Sequence, residues 1–520
     1  MALSTIDIAI IAIYAVAIFS LAQWVSREKD ARRKSAQDYF LAGRQLPWWA
    51  IGTSLIAANI SAEQIIGMSG SGYAIGLAIA CYEWLAAFTL IIVGKYFLPI
   101  FLKNGIFTMP EFLERRFSNQ VRTVMAIFWL GVYVFVNLTS ILWLGATAVH
   151  TVAGVETQTA LVGLGLFAGI YALYGGLKAV ALTDIVQVSL LVLGGLIICA
   201  IALDRVGGGA GILAGFHELV RRYPDHFHMI LHPDNPHYKE LPGVSVLIGG
   251  LWVMNISYWG FNQYIIQRAL AAKDLREGQK GILLAGFLKL LMPVIIVLPG
   301  IAALAVAPQL SRPDEAYPSL MALLPTGILG IVFAALIAAI VASMGSKINS
   351  IATIFTMDIY SQLAPNAQPQ HLVRVGRITA VVALVIAMLS ARPLLGSFDQ
   401  AFQYIQEFTG FFTPGICVIF LLGMFWRPCT ARGALAAAIA SAILSLLLKL
   451  TWPELPFMDR VGLVFLACLA IAVAGSLLWP GPSSELRVEL TGIDYRTSAS
   501  FNIASGIILL ILIVLYTVWW

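Results

Sequence analysis

The sequence predicts an all-α polytopic membrane protein, and three observations carry that prediction. Of its 520 residues, 59% are hydrophobic and only 11% charged, where a soluble globular domain carries about 25% charged residues. A hydrocarbon core about 30 Å thick needs about 20 apolar residues per helix, and runs of that length recur from the N-terminal residues to Trp520. Lys and Arg are also shared unevenly between alternate connections, as a bilayer-inserted chain requires.

With charges, Pro and Gly clusters as boundaries, about fourteen transmembrane helices are expected. They lie near 4–25, 46–70, 76–101, 123–150, 158–176, 181–203, 244–268, 280–307, 327–347, 371–390, 396–425, 431–450, 461–480 and 499–519. The first run, Ile6 to Val25, has no basic stretch before it and no small-residue cleavage site after it. It therefore reads as a retained helix and not a signal peptide. With the N-terminus outside, roughly 21 Lys and Arg fall in the inner connections and roughly 8 in the outer ones. Both termini are then expected outside, and the net charge of +5 needs no nucleic-acid partner. The five cysteines lie mostly within or beside apolar runs and lack metal-type spacing, so neither a disulfide framework nor a zinc site is suggested. The outer connection near 204–243 carries His217, His226, His228, His232 and His237 at irregular spacing among Asp, Asn and Pro. It reads as a solvated loop in preference to a metal site.

Polar residues inside spans mark the functional region, because a central charge costs roughly 2.5–3.5 kcal/mol on insertion scales and calls for a partner or a wet cavity. In the second helix Asn59, Ser61, Glu63 and Gln64 interrupt an apolar span, followed by Gly67, Gly70 and Gly72. That pattern predicts a discontinuous helix with freed carbonyls and amides; polar packing glue between helices is the alternative. Glu83 in the third helix and Lys289 in the eighth either pair with each other or share a polar solute. Asn255 and Tyr258 share a face of the seventh helix, and the eleventh, with Gln403, Gln406, Glu407, Gly410 and Pro414, reads as interrupted beside a cavity. The small-residue ninth helix permits close approach. Lys347 at its end is expected to snorkel to the cytoplasmic interface.

Several long segments match one family in order. They are DYFLAGRQLPWWAIGTSLIAANISAEQIIGMSGSGY from Asp38, YEWLAA from Tyr82, IYALYGGLKAVALTDIVQ, GGLWVMNISYWGFNQYIIQRALAAK, FTMDIY and FQYIQEFTGFFTPGI. The chain from about Asp38 to Arg460 resembles the sodium:solute symporters, within them the bacterial sodium/galactose and sodium/glucose cotransporters. The resemblance implies a leucine-transporter-type core, an inverted repeat of five plus five helices. It divides the chain into residues 1–45 with an extra helix, 46–203 as the first repeat, 204–243 as the extracytoplasmic loop, 244–426 as the second repeat and 427–520 as three C-terminal helices.

Carried over by resemblance, Gln64, Glu83, Asn255, Lys289 and Gln406 contact the sugar, Tyr258 gates it on the inside, and Met68, Tyr82 and Phe402 cover it on the outside. Amide, carboxylate and ammonium groups suit the hydroxyls of a hexose, which both donate and accept. Ala86 departs from the galactose-type pattern by a lost hydroxyl. For sodium the resemblance assigns the carbonyls of Ala57, Ile60 and Ala339 and the hydroxyl of Ser343, with Ala342 where the family has a second serine. Asp184 matches an acidic position on the ion exit path. The expectation is sodium-coupled symport of galactose or glucose by alternating access in a cell (inner) membrane. Alternatives are a proton-coupled or uncoupled carrier of the same fold and, remotely, a membrane sugar sensor. The helices lack HExxH and GxSxG motifs, and no enzyme activity is expected.

Overall fold

In the computed structural model of the chain, residues 3–26, 46–106, 108–174, 177–396, 398–480 and 488–520 are described. The named elements among them are all helices, and the single bridge, Leu46 to Ala272, ties two connections together. Helix α1 is Thr5–Ser26. The second expected span divides into α2, Trp48–Asn59, and α3, Met68–Ile75, with a π-helical turn Glu63–Gly67 between them. Then follow α4 (Leu77–Lys103), α5 (Asn119–Ala153), α6 (Thr157–Tyr174), α7 (Leu177–Val206) and the loop helix α8 (Ile212–Arg222). The seventh span also divides, into α9 (Gly250–Ile256) and α10 (Gln263–Leu270). After them come α11 (Leu275–Val306), α12 (Ile328–Leu363), α13 (Pro369–Leu395), α14 (Ala401–Thr409) and α15 (Thr413–Phe425). Helices α16 (Ala431–Thr451), α17 (Phe457–Leu478) and α18 (Ala499–Val518) complete the chain.

Nine helices among the described residues are long and apolar enough to cross a membrane, and the pair α14 and α15, bent by 48°, makes a tenth. The second and seventh spans enter no such count because each is in pieces. A helix interrupted at membrane depth is tolerated only where the loose backbone faces protein or a wet cavity, so these breaks mark where the bundle is hollow.

A side-chain hydrogen bond accompanies each break. Ile60 turns to φ −70° and ψ 111° after its N–H closes the last bond of α2, to the Ile56 carbonyl. The hydroxyl of Ser61 then accepts from the Glu63 N–H at 3.2 Å, offering the backbone a side-chain partner in place of the helical one. In the seventh span Asn262 is the extended residue, at φ −79° and ψ 120°, and Tyr133 of α5 donates to its side chain at 3.1 Å. That second break was not expected from the sequence. The turn from α3 into α4 needs Gly76, at φ 92°, where a Cβ would stand 2.4 Å from the His226 carbonyl of the long loop.

At the end of the bundle bearing Arg115, Arg116 and Arg122, here called the basic end, Arg116 donates to the carbonyls of Gly423, Trp426, Arg427 and Cys429. Arg122 pairs there with Asp358 at 2.6 Å and Glu114 at 2.6 Å. At the opposite end, Met229 of the loop donates to the Trp519 carbonyl at 2.7 Å. His237 of the same loop meets Glu240 at 2.7 Å. Burial of His226 there pushes its imidazole below the ordinary value.

Candidate functional site

The broken helices surround a cavity of about 120 Å³. Its walls include Gln64, Glu83, Asn255, Lys289 and Gln406, all five of the residues expected to meet a sugar. Lys289 and Glu83 are 1% and 2% exposed, so their charges must be answered inside the protein. The Lys289 ammonium donates to Glu83 Oε2 and to Asn59 Oδ1, while Gln64 Nε2 donates to Glu83 Oε1. Lys289 also stands 5.0 Å from the centre of the Trp259 ring. Glu83 and Lys289 touch each other, as the pairing reading requires, and both face the cavity.

From Asn59 the network continues towards the basic end. Its Nδ2 donates to the Tyr258 hydroxyl at 3.0 Å, which also accepts from the Tyr264 hydroxyl at 2.9 Å. Asn255, one turn before Tyr258, is buried with its Nδ2 unpartnered, a donor left available to an incoming acceptor. On the loop side Tyr82 and Phe402 meet edge to face with centroids 5.1 Å apart, and Met68 is fully buried without lining the cavity. These aromatic covers are held by the end of α14. Asp314 accepts from the Ala401 N–H at 3.0 Å, and burial raises its carboxyl to about 7. The remaining wall, with Trp129, Val132, Tyr133, Thr413 and Ile416, extends the cavity towards the basic end.

A second, smaller cavity of about 30 Å³ adjoins the first. Ala57, Ile60, Ala339 and Ser343, the four residues expected to hold sodium, all line it. The break at Ile60 leaves the carbonyls after Ile56 beyond the last bond of α2, and oxygen donors of that kind with a hydroxyl suit a hard cation. Asn59, Glu63 and Tyr264 line both cavities. Glu63 is fixed between them, accepting from Asn137 at 3.2 Å and from the Ser61 hydroxyl at 3.4 Å. Asp184 belongs to α7, and its side chain lies outside the described residues; Gln187, farther along the same helix, faces the second cavity.

Lys347 does not snorkel. It is 5% exposed, lines the second cavity, and places its ammonium 3.9 Å from the Tyr264 ring centre and 5.6 Å from that of Tyr133. Helical side chains lean towards the N-terminus of their helix, and in α12 that direction leads to Ser343, away from the basic end. Asn137 and Tyr264 are site members that sequence reasoning left without a role, and Asn59 and Glu63 were expected only as part of the break in the second span. Asn137 carried a usable signal, being an amide within an otherwise apolar stretch of α5.

The sodium:solute symporter family profile matches residues 39–441. The chain belongs to this family. Among its relatives, the sodium/glucose cotransporter of Vibrio parahaemolyticus is 51% identical across 100% of this chain and 99% of its own length. The sodium/myo-inositol cotransporter 2 of Mus musculus is 32% identical over 85% of the chain and 69% of its own. A solved Na+-coupled sialic acid symporter, captured outward-open with substrate, superposes with a TM-score of 0.77 at 23% identity, covering 92% of the chain and 98% of that structure. A nucleobase-cation-symport-1 transporter in a closed conformation shares the fold at a TM-score of 0.55 and 11% identity. This symporter-family chain is therefore a multi-pass membrane protein of a transporter family.

Proposed function

We propose that the protein imports a hexose, galactose or glucose, by sodium-coupled alternating access, without covalent chemistry. One observation carries this reading: the residues expected for sugar and those expected for sodium fill two adjoining cavities that share Asn59, Glu63 and Tyr264. A cation drawn to the carbonyls of α2 and the Ser343 hydroxyl of α12 holds the broken helix in place. That in turn positions Gln64, Asn59 and, through them, Glu83 and Lys289. Ligands then shift an equilibrium between two carrier states. With the basic end cytoplasmic and both termini outside, the aromatic cover over the cavity is the outer gate and Tyr258 the inner one. The paired breaks in the second and seventh spans fit an inverted repeat over 46–203 and 244–426.

One charge crossing 100 mV supplies about 2.3 kcal/mol, equivalent to roughly fifty-fold accumulation at about 1.4 kcal/mol per tenfold. A second reading retains the fold and the sugar but not the sodium dependence, and Ala342 and Lys347 in the ion cavity favour it. The deciding experiment is uptake of radiolabelled galactose and glucose into proteoliposomes with and without an inward sodium gradient at fixed pH. Sodium-dependent uptake that falls at least tenfold in Gln64→Ala is the expected result. Uptake driven by a proton gradient alone would replace sodium with the second reading, and no hexose uptake under either gradient would remove the sugar assignment.

A further inference from the structure

Two cations line the ion cavity without a part in the transport scheme, Arg268 of α10 and Lys347 of α12, and of these Lys347 shares a helix with Ala339 and Ser343. Its ammonium is buried, has no hydrogen-bond partner, and rests against the faces of Tyr264 and Tyr133. Three donors without acceptors are costly in a dry interior. Residues whose oxygens could satisfy them line the same cavity: Ala57, Ile60, Ala339 and Ser343. Ala339, Ser343 and Lys347 stand at i, i+4 and i+8 of α12 and form one stripe. One helical turn is about 5.4 Å, within reach of a lysine side chain that already leans towards Ser343. Glu63, on the wall common to both cavities, supplies the negative field that either cation would use.

We propose that Lys347 is a tethered cation that competes with sodium for this cavity. When sodium is bound, the ammonium stays on the Tyr264 face. When sodium leaves, it turns into the vacated oxygens and keeps Glu63 answered while the empty carrier reorients. Sodium must then displace a charge that the chain itself provides. Ala342 fits this arrangement, because a methyl in place of a second hydroxyl leaves room for the lysine stem.

This inference rests on the symport reading but is tested apart from it, by equilibrium binding of ²²Na⁺ to the purified full-length protein without sugar. Lys347→Met and Lys347→Gln both remove the charge, the second keeping a polar head if the first does not fold. Lys347→Arg keeps it. The expected result is a sodium half-saturation at least tenfold lower in Lys347→Met or Lys347→Gln than in the wild type, with Lys347→Arg within about threefold of wild type. Half-saturation unchanged within twofold, or raised, in the charge-free variants overturns the proposal. Wild-type uptake that ignores sodium, with strong ²²Na⁺ binding gained in Lys347→Met, would sink the sodium-driven reading and support the tethered cation.

Discussion

The buried pair of Glu83 and Lys289 sets two demands on single residues, to answer each other's charge and, in the proposed function, to meet the sugar. Each partner makes the other tolerable in hydrocarbon surroundings, and each retains lone pairs or protons for a guest. Removing one partner strands a charge, which costs about 3–5 kcal/mol in buried pairs, whereas replacing both by apolar groups is often neutral. Lys289→Met is therefore expected to lower the melting temperature in detergent markedly. The double variant Lys289→Met with Glu83→Leu should regain most of the loss yet not bind hexose. Thermal unfolding followed by tryptophan emission measures the first effect, and equilibrium sugar binding the second. A double variant no more stable than Lys289→Met would mean that the pair is not held by mutual neutralisation. At this scale the sequence was informative where a polar group interrupts an apolar run: Gln64, Glu83, Lys289 and Gln406 all line the cavity. It was misleading at Lys347, whose position near the end of an apolar stretch invited the interface, while the tilt of helical side chains turned it inward.

At the scale of elements, the hollow exists because helices break where they would otherwise close it. The break after α2 was legible in Asn59, Ser61 and Glu63. The matching break at Asn262 was not, since the aromatic stretch around it has no run of polar residues, and the bond that accompanies it comes from Tyr133 on a distant helix. Around the hollow, small residues let backbones touch. A Cβ at Gly300 of α11 would stand 2.1 Å from the Ser69 carbonyl of α3. Forcing helices apart at such a contact costs about 1–3 kcal/mol. Gly300→Ala is expected to lower the melting temperature and to change sugar affinity, because α3 follows directly on the turn that carries Gln64. An unaltered melting curve would show that the two helices do not need this approach.

For the whole molecule, the all-helical, membrane-spanning fold class followed from hydropathy, because a bilayer leaves a chain few alternatives; against the fourteen spans expected, nine helices among the described residues are long and apolar enough alone and one bent pair makes a tenth. What hydropathy does not carry is the pairing of discontinuous pieces, since fragments such as Met68–Ile75 and Gly250–Ile256 are too short to register as spans. The proposed orientation, with the basic end cytoplasmic, can be checked on intact cells. Asp225→Cys, in the long loop, should react with a membrane-impermeant maleimide, and Asn366→Cys, between α12 and α13, only after lysis. The five native cysteines are buried and leave a quiet background. The reverse labelling pattern would invert the assignment of inner and outer gates.

The Lys289 ammonium, 5.0 Å from the Trp259 ring, also makes the cavity optically self-reporting. An indole beside a movable charge changes its emission energy when that charge is drawn towards a guest. Trp259 can therefore serve as an intrinsic fluorophore for occupancy, read as the difference between the native protein and Trp259→Phe, with no dye introduced into the transport path.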